Sequence, residues 1–336
     1  MKKPFIIGEV SANHNGKIEQ AKKIISLAKN SGLSAVKLQT YTPGTMTINS
    51  RRPDFIVKKG IWKGNTLWNL YQKAQTPFEW QKELFIYAKK VGIKCFSTPF
   101  DIKALEILEE INCPFYKVSS FEMTDLELIS EIARTKKDII ISTGLASLKE
   151  IDIAFNTAKK HGAKSISLLY CVSIYPADVK DFHLENIKIL RKKFNCTIGL
   201  SDHSTDNRIA LVAASIGAEI FEKHIALKNQ LSSPDIKFSL KGTGQIKEYI
   251  KNIYIGKSLT EKKEFFRSKE ELEGRIFRRS IYVVKSIEKG ERFSKSNIKK
   301  IRPGYSLDAM YYSSILGKIS KKKFLPGDRI SKKDFK

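Results

Sequence analysis

Cysteine is scarce, and the four residues present stand far apart. Cys95, Cys113, Cys171 and Cys196 make no CxxC pair and no metal-finger spacing, which argues against a zinc ribbon or a disulfide scaffold. Isolated thiols suit a reducing, cytoplasmic compartment. Long apolar runs are also missing: no stretch approaches the ~20 residues of a membrane span. The opening MKKPFIIGEV is basic and then apolar, but it breaks at Gly8-Glu9, too soon for a signal peptide. No GxGxxG opens a helix, which disfavours a dinucleotide fold. Acidic residues are outnumbered, 35 Asp+Glu against 61 Lys+Arg, for a net charge of +26. Residues 275–336 hold 18 Lys+Arg against 5 Asp+Glu. Such a balance fits either nucleic acid or anionic small molecules. No nucleic-acid motif or aromatic–basic platform accompanies it, so a surface that steers anions is the better account.

What is present is a repeating unit. A short apolar run ends in polar residues, and a segment of helical period follows. The runs are FIIGEV (5–10), AVKLQT (35–40), IKCFSTP (93–99), FYKVSS (115–120), DIIISTG (138–144), SISLLYCVS (165–173), TIGLSDH (197–203) and EIFEKHI (219–225). Amphipathic segments such as IEQAKKIISLAKNSG and LKEIDIAFNTAKKHG lie between them and end in Gly, a usual helix C-cap. Near-continuous apolar strands alternating with helices predict a parallel sheet buried on both faces. Eight such units predict an α/β fold of the (β/α)8 TIM-barrel type. A doubly wound open sheet is the alternative.

In such barrels the chemistry gathers at the C-terminal strand ends. Two of only five histidines, His203 and His224, close consecutive strands here. Two neutral imidazoles on one rim suit a divalent metal (Mn, Mg or Co), with positions left for water and substrate. Asp202 is expected behind them, supporting the metal, and His14 is a third polar candidate in the same mouth. Lys37 and Lys117 end strands two and four. They read either as a grip on phosphate and carboxylate or as a Schiff-base lysine. Ser120, Ser142, Ser173 and Ser201, with Gly144 for close backbone approach, would complete a phosphate cradle. Glu9, ending the first strand, is the expected proton handler, or else the ion-pair partner of a lysine. Gln39 and Tyr175 are further substrate contacts, and Glu222 and Asp235 are expected to grip substrate or a metal-held water.

In order and spacing, IIGEVSANHNG, VKLQTYTP, KVSS, STG, CVSIYP, GLSDH and EKH resemble the sialic acid synthase family. The tail RSIYVVKSIEKGERFSKSNIKKIRPG, ILGKI and LPGDRISKKDF resembles that family's antifreeze-like (SAF) domain. The stretch TYTPGTMTINS…KGIWKGNTLWNLYQKAQTPFEW is most like the branch that makes pseudaminic acid, and Phe238 suits a 6-deoxy sugar. SLKGTG departs from the family's usual SL-Glu-Pro. The resemblance implies condensation of phosphoenolpyruvate with an open-chain amino sugar, a 2,4-diacetamido-2,4,6-trideoxy-altrose in this branch. Neuraminate or legionaminate chemistry is the alternative on the same scaffold. The resemblance also implies a domain-swapped homodimer, in which Arg302 of the RPG motif reaches the sugar's N-acyl group.

The expected organisation is a synthase barrel at 1–260, a linker at 261–274 and the SAF domain at 275–336. Residues 228–274 read as a closing helix and linker interrupted by Gly242, Gly244, Gly256 and Gly274. In the tail, KGERFSKSNI and PGDRISKKDF repeat one pattern 37 residues apart, from Gly290 to Gly327, the mark of an internal duplication. Two readings of other kinds stay open: a metal-independent Schiff-base aldolase, and a basic nucleic-acid-binding protein on an inactive barrel.

Overall fold

A computed structural model describes residues 3–262 and 264–336; Met1, Lys2 and Lys263, which the expected barrel and linker include, lie outside the described residues. The chain divides into two compact units, Met1–Glu261 and Lys262–Lys336.

The first unit carries eight parallel strands: β1 (Phe5–Glu9), β2 (Ala35–Thr40), β3 (Lys94–Pro99), β4 (Phe115–Val118), β5 (Asp138–Ser142), β6 (Ser165–Cys171), β7 (Thr197–Asp202) and β8 (Ile220–Ala226). Each pairs with the next, and β1 pairs with β8, so the sheet closes into a barrel. The helices are α1 (Ile18–Ser31), α2 (Pro43–Met46), α3 (Leu67–Ala74), α4 (Phe78–Val91), α5 (Ile102–Glu110), α6 (Leu126–Arg134), α7 (Leu148–Lys160), α8 (Asn186–Phe194), α9 (Arg208–Ser215) and α10 (Gly242–Leu259). A two-residue strand, β9 (Leu240–Lys241), extends the sheet from β8. No described helix is long and apolar enough to cross a membrane.

The sequence pattern explains the closure. The apolar faces of the strands meet the apolar stripes of the helices in one core, which includes Ile24, Val36, Leu108, Ile132, Ile141 and Phe221. Inside the cylinder, Phe115 stacks on Phe96 with centroids 4.3 Å apart and meets Phe5 edge-on at 6.1 Å. Because side chains alternate along a strand, Lys117 and Glu9 share the inward parity of Phe115 and Phe5. An apolar plug therefore lies below an ionic layer. The register puts Glu9 level with both Lys37 and His224, and Ser201 level with Glu222 and Cys171.

Of the four glycines expected to interrupt residues 228–274, Gly242 opens α10 and Gly274 ends the helix Lys269–Glu273, but Gly244 and Gly256 interrupt nothing. Helix α10 runs through Gly244 and Gly256. Gly256 serves contact instead: a Cβ there would stand 2.1 Å from the Leu211 carbonyl oxygen on α9.

The second unit holds α11 (Lys269–Glu273), β10 (Ser280–Val283), β11 (Ile298–Ile301), β12 (Leu307–Asp308) and α12 (Tyr312–Ile315) around its own core of Ile281, Phe293, Ile298 and Phe324. The repeat read in the sequence is a repeat of hydrogen bonds. Ser294 N–H donates to the Asn297 side chain at 2.7 Å, and 37 residues on, Ser331 N–H donates to Asp334 at 2.8 Å. Gly290 N–H donates to Ser320 O, while Gly327 N–H donates to Val283 O, each at 2.8 Å. The two halves thus exchange equivalent bonds, and Gly290 and Gly327 share a left-handed φ of 91° and 94°.

Candidate active site

The strand ends open on a cavity of about 400 Å³. Glu9, Lys37, Gln39, Lys117, Ser120, Ser142, Tyr175, Ser201, His203, Glu222, His224 and Asp235 all line it. Of the residues expected there from the first unit, Ser173, Gly144, Asp202 and His14 do not. Ser173 lies just behind, its hydroxyl 2.2 Å from where a Gly144 Cβ would be. Arg302 is an exposed residue of the second unit.

The floor is a buried lattice of charge. Lys37 Nζ donates to Glu9 Oε1 at 2.6 Å and to Thr98 Oγ1 at 3.3 Å. Gln39 adds a bond to the same Glu9 oxygen at 2.9 Å. Lys117 Nζ spans both oxygens of Glu222, at 2.8 and 3.0 Å, and Ser201 donates to that carboxylate at 3.0 Å. Burial pushes the Glu9 carboxyl up, but Lys37, His224 and Lys117 outweigh it and hold it at about 2. Glu222 is held below its ordinary range against the same burial, by Lys117 and Lys37. Burial would lower Lys37; Glu222 and Glu9 raise it instead. The lysines therefore meet carboxylates before any substrate arrives. A Schiff-base lysine needs a neutral amine, and this environment favours ammonium at Lys37.

His203 and His224 face each other across the β7–β8 pair, with ring centroids 5.5 Å apart. Metal–nitrogen bonds of about 2.1 Å let two rings at this separation share one ion. His203 Nδ1 lies 3.2 Å from the Val172 carbonyl oxygen and 3.7 Å from Cys171 Sγ. A carbonyl only accepts, so Nδ1 carries a proton, and Nε2 is the ring nitrogen left to meet a metal. His224 has Glu9 Oε2 3.4 Å from Nε2 and Asp235 Oδ2 3.5 Å from Nδ1, both long for hydrogen bonds, and its buried Nδ1 lacks a hydrogen-bond partner. Burial opposes charge on this ring, but Glu9 and Asp235 raise its pKa. Asp235 accepts from Ala12 N–H at 3.2 Å and lines the cavity beside His224. Among the described residues no three His, Cys, Asp or Glu side chains converge as a ready metal cluster. The donor set fits a divalent ion held by two imidazoles, with open positions.

A second orphan stands at the end of β5. The buried Ser142 hydroxyl has no partner. Beside it, Gly144 N–H donates to Ser120 Oγ at 3.1 Å. Ser120 and Ser142 thus bring two hydroxyls to the cavity, as an anion requires, while Gly144 lies buried against Ser120 and Ser173.

Two expectations are corrected. Asp202 does not stand behind His203. It points to the outer face of the barrel, where it pairs with Lys223 at 3.1 Å and accepts from Ser204 N–H at 2.8 Å, because strand parity sends residues 201 and 203 inward and 202 outward. His14 is a buried structural residue: its Nδ1 accepts from Gly16 N–H at 3.1 Å, and its Nε2 lies 3.3 Å from Thr76 Oγ1.

Several cavity residues escaped sequence reading. Cys171 lines the wall, and although burial raises a thiol, His203 brings this one below its ordinary value. Its parity with Ser173 could have revealed it. Glu122 lines the mouth, where Ser119 Oγ donates to it; burial raises its carboxyl. Tyr41, Met46, Val57, Trp62, Leu67, Leu70 and Tyr71 form one side of the cavity. The signal for them was the 37 residues between β2 and α4, far more than a barrel turn needs.

Comparison with known proteins agrees with this geometry. The NeuB family matches residues 24–264 and the SAF domain matches residues 278–336. A pseudaminic acid synthase of Helicobacter pylori is 41% identical over 321 residues, covering 95% of this chain and 94% of that one. An N,N'-diacetyllegionaminic acid synthase of Campylobacter jejuni is 35% identical, covering 96% and 98%. The crystal structure of an N-acetylneuraminic acid synthetase from Leptospira borgpetersenii, in complex with citrate, superposes with a TM-score of 0.71 at 28% identity, covering 81% of this chain and 90% of that one. An eight-stranded barrel with paired lysines and paired histidines in one mouth, followed by a SAF domain, makes this chain a member of the NeuB family of sugar acid synthases.

Proposed function

We propose that this chain condenses phosphoenolpyruvate with 2,4-diacetamido-2,4,6-trideoxy-β-L-altropyranose, in its open-chain form, to give pseudaminic acid and phosphate. The carrying observation is that the cavity floor joins lysines, orphan hydroxyl and paired imidazoles within one small volume.

Phosphoenolpyruvate is a polyanion, so it competes with Glu9 and Glu222 for Lys37 and Lys117. Ser142 and Ser120 receive its phosphate. His203 and His224 would hold a divalent cation, which when bound would supply Lewis acidity for the acceptor's aldehyde. Binding sets C3 of phosphoenolpyruvate against the aldehyde carbon, and such enforced proximity lowers a barrier by ~7 kcal/mol or more. The new C–C bond leaves a cation at C2. Glu9, ionised and released from part of its pairing, stabilises that cation and takes a proton from the water that adds there. Glu9 passes that proton to the alkoxide left on the former aldehyde oxygen, and the tetrahedral adduct expels phosphate as its C2 hydroxyl becomes the carbonyl, the hydroxyl proton leaving with the phosphate. Asp235 steadies His224 throughout.

The proposal extends to the assembly. Phe121, Leu145, Ile174 and Leu231 are exposed apolar side chains on the loops around the mouth. This rim supports a homodimer in which a second copy's SAF domain, Arg302 included, covers it. Four free thiols fit a cytoplasmic setting.

Product analysis by mass spectrometry tests the reading. Phosphoenolpyruvate with the altro-configured acceptor should yield pseudaminic acid faster than N-acetylmannosamine or the legionaminate precursor yields its product. Faster turnover of either alternative acceptor would reassign the enzyme to that branch.

A further inference from the structure

The cavity has two unlike sides. Its floor is ionic, whereas the lining side chains contributed by residues 43–77 are Met46, Val57, Trp62, Leu67, Leu70, Ala74 and, as the one with a hydroxyl, Tyr71. That segment is anchored. Val57 N–H donates to Asn65 O and Gly64 N–H to Val57 O, each at 2.9 Å, and Ile56 bridges Thr66. Trp62 Nε1 donates to Pro234 O at 2.9 Å, which ties the segment to the loop after β8. With its one donor spent, Trp62 offers the cavity only apolar ring surface.

Position decides what this surface meets. Phe238 packs edge-on against His224, with centroids 4.8 Å apart, so it borders the reacting aldehyde. Trp62 lies beyond it, 6.4 Å from Phe238 and 5.5 Å from Tyr175. A substituent several bonds from the aldehyde reaches that farther wall.

We infer that Val57, Trp62 and Leu70 form the specificity subsite for the end of the acceptor remote from its aldehyde, selecting a methyl over a hydroxymethyl group. The inference rests on the synthase reading above. A hydroxyl against Val57, Trp62 and Leu70 would give up its water without gaining a partner from them, whereas a methyl gains contact. A hydrophobic subsite of this kind discriminates by ~10–100-fold.

The test compares kcat/KM, by phosphate release, for the 6-deoxy acceptor and its 6-hydroxy counterpart. The native enzyme should favour the deoxy sugar by ~10–100-fold. Leu70→Ser and Trp62→Ser should bring the ratio towards one. The size-conserving Val57→Thr should move it the same way, and it guards against loss of fold. A native ratio near one, or a ratio unchanged in all three variants, would overturn the subsite while leaving the synthase reading intact. Turnover of neither acceptor would sink both.

Discussion

Glu9 is held by Lys37 and Gln39 on one oxygen and faces His224 with the other. An amide in its place can neither balance Lys37 nor take a proton. Glu9→Gln should lower kcat by ~10²–10⁴-fold, with an unchanged circular dichroism spectrum. A residual rate above about a tenth of native would remove Glu9 from its role. His14 makes a separate, pH-linked prediction. Burial lowers it from its ordinary value near 6.5 to about 4, although Asp235 pulls the other way. Its folded value is depressed, so the unfolded chain binds the proton first as pH falls. The stability it contributes is present above 6.5 and is lost between about 6.5 and 4. Urea unfolding should show the native protein losing about 3 kcal/mol more than His14→Gln across that interval. Parallel losses in the two proteins would contradict this.

Among the elements, the turns after the strands do more than connect. A Cβ at Gly144 would meet Ser173 Oγ at 2.2 Å and Ser120 Oγ at 2.8 Å. Gly144→Ala should therefore push both hydroxyls aside. Steady-state kinetics should show KM for phosphoenolpyruvate raised at least several-fold, with little change in thermal midpoint. Gly256→Ala should do the reverse, costing ~1–3 kcal/mol of stability through the α9 contact. Strands and their inward residues were legible because apolar runs and alternation are local. The apolar wall was not, since residues 43–77 show neither a strand nor a long helix in their pattern, and only the folded chain brings Trp62 to Pro234. Asp202 was misread for want of parity: it adjoins His203 in sequence but faces the opposite side of the sheet. The lysine pairing was half legible, because charge complementarity names partners but not which carboxylate each lysine meets.

The whole molecule has two cores that share no residue, so the barrel should survive loss of the second unit. A chain ending at 261 should unfold cooperatively yet lose synthase turnover; retained turnover would refute the covering role proposed for a second copy's SAF domain. The charge of +26 should draw phosphoenolpyruvate inward, so kcat/KM for it should fall as ionic strength rises. The central claim, however, is that His203 and His224 share a cation which the condensation needs. Phosphate release from phosphoenolpyruvate plus the altro-configured acceptor, measured before chelation, after EDTA and after Mn²⁺ is restored, tests it most directly. Release should depend on the acceptor, stop with EDTA, return with Mn²⁺, and stay absent in His224→Ala. Undiminished release in chelator, or release without acceptor, would contradict the account.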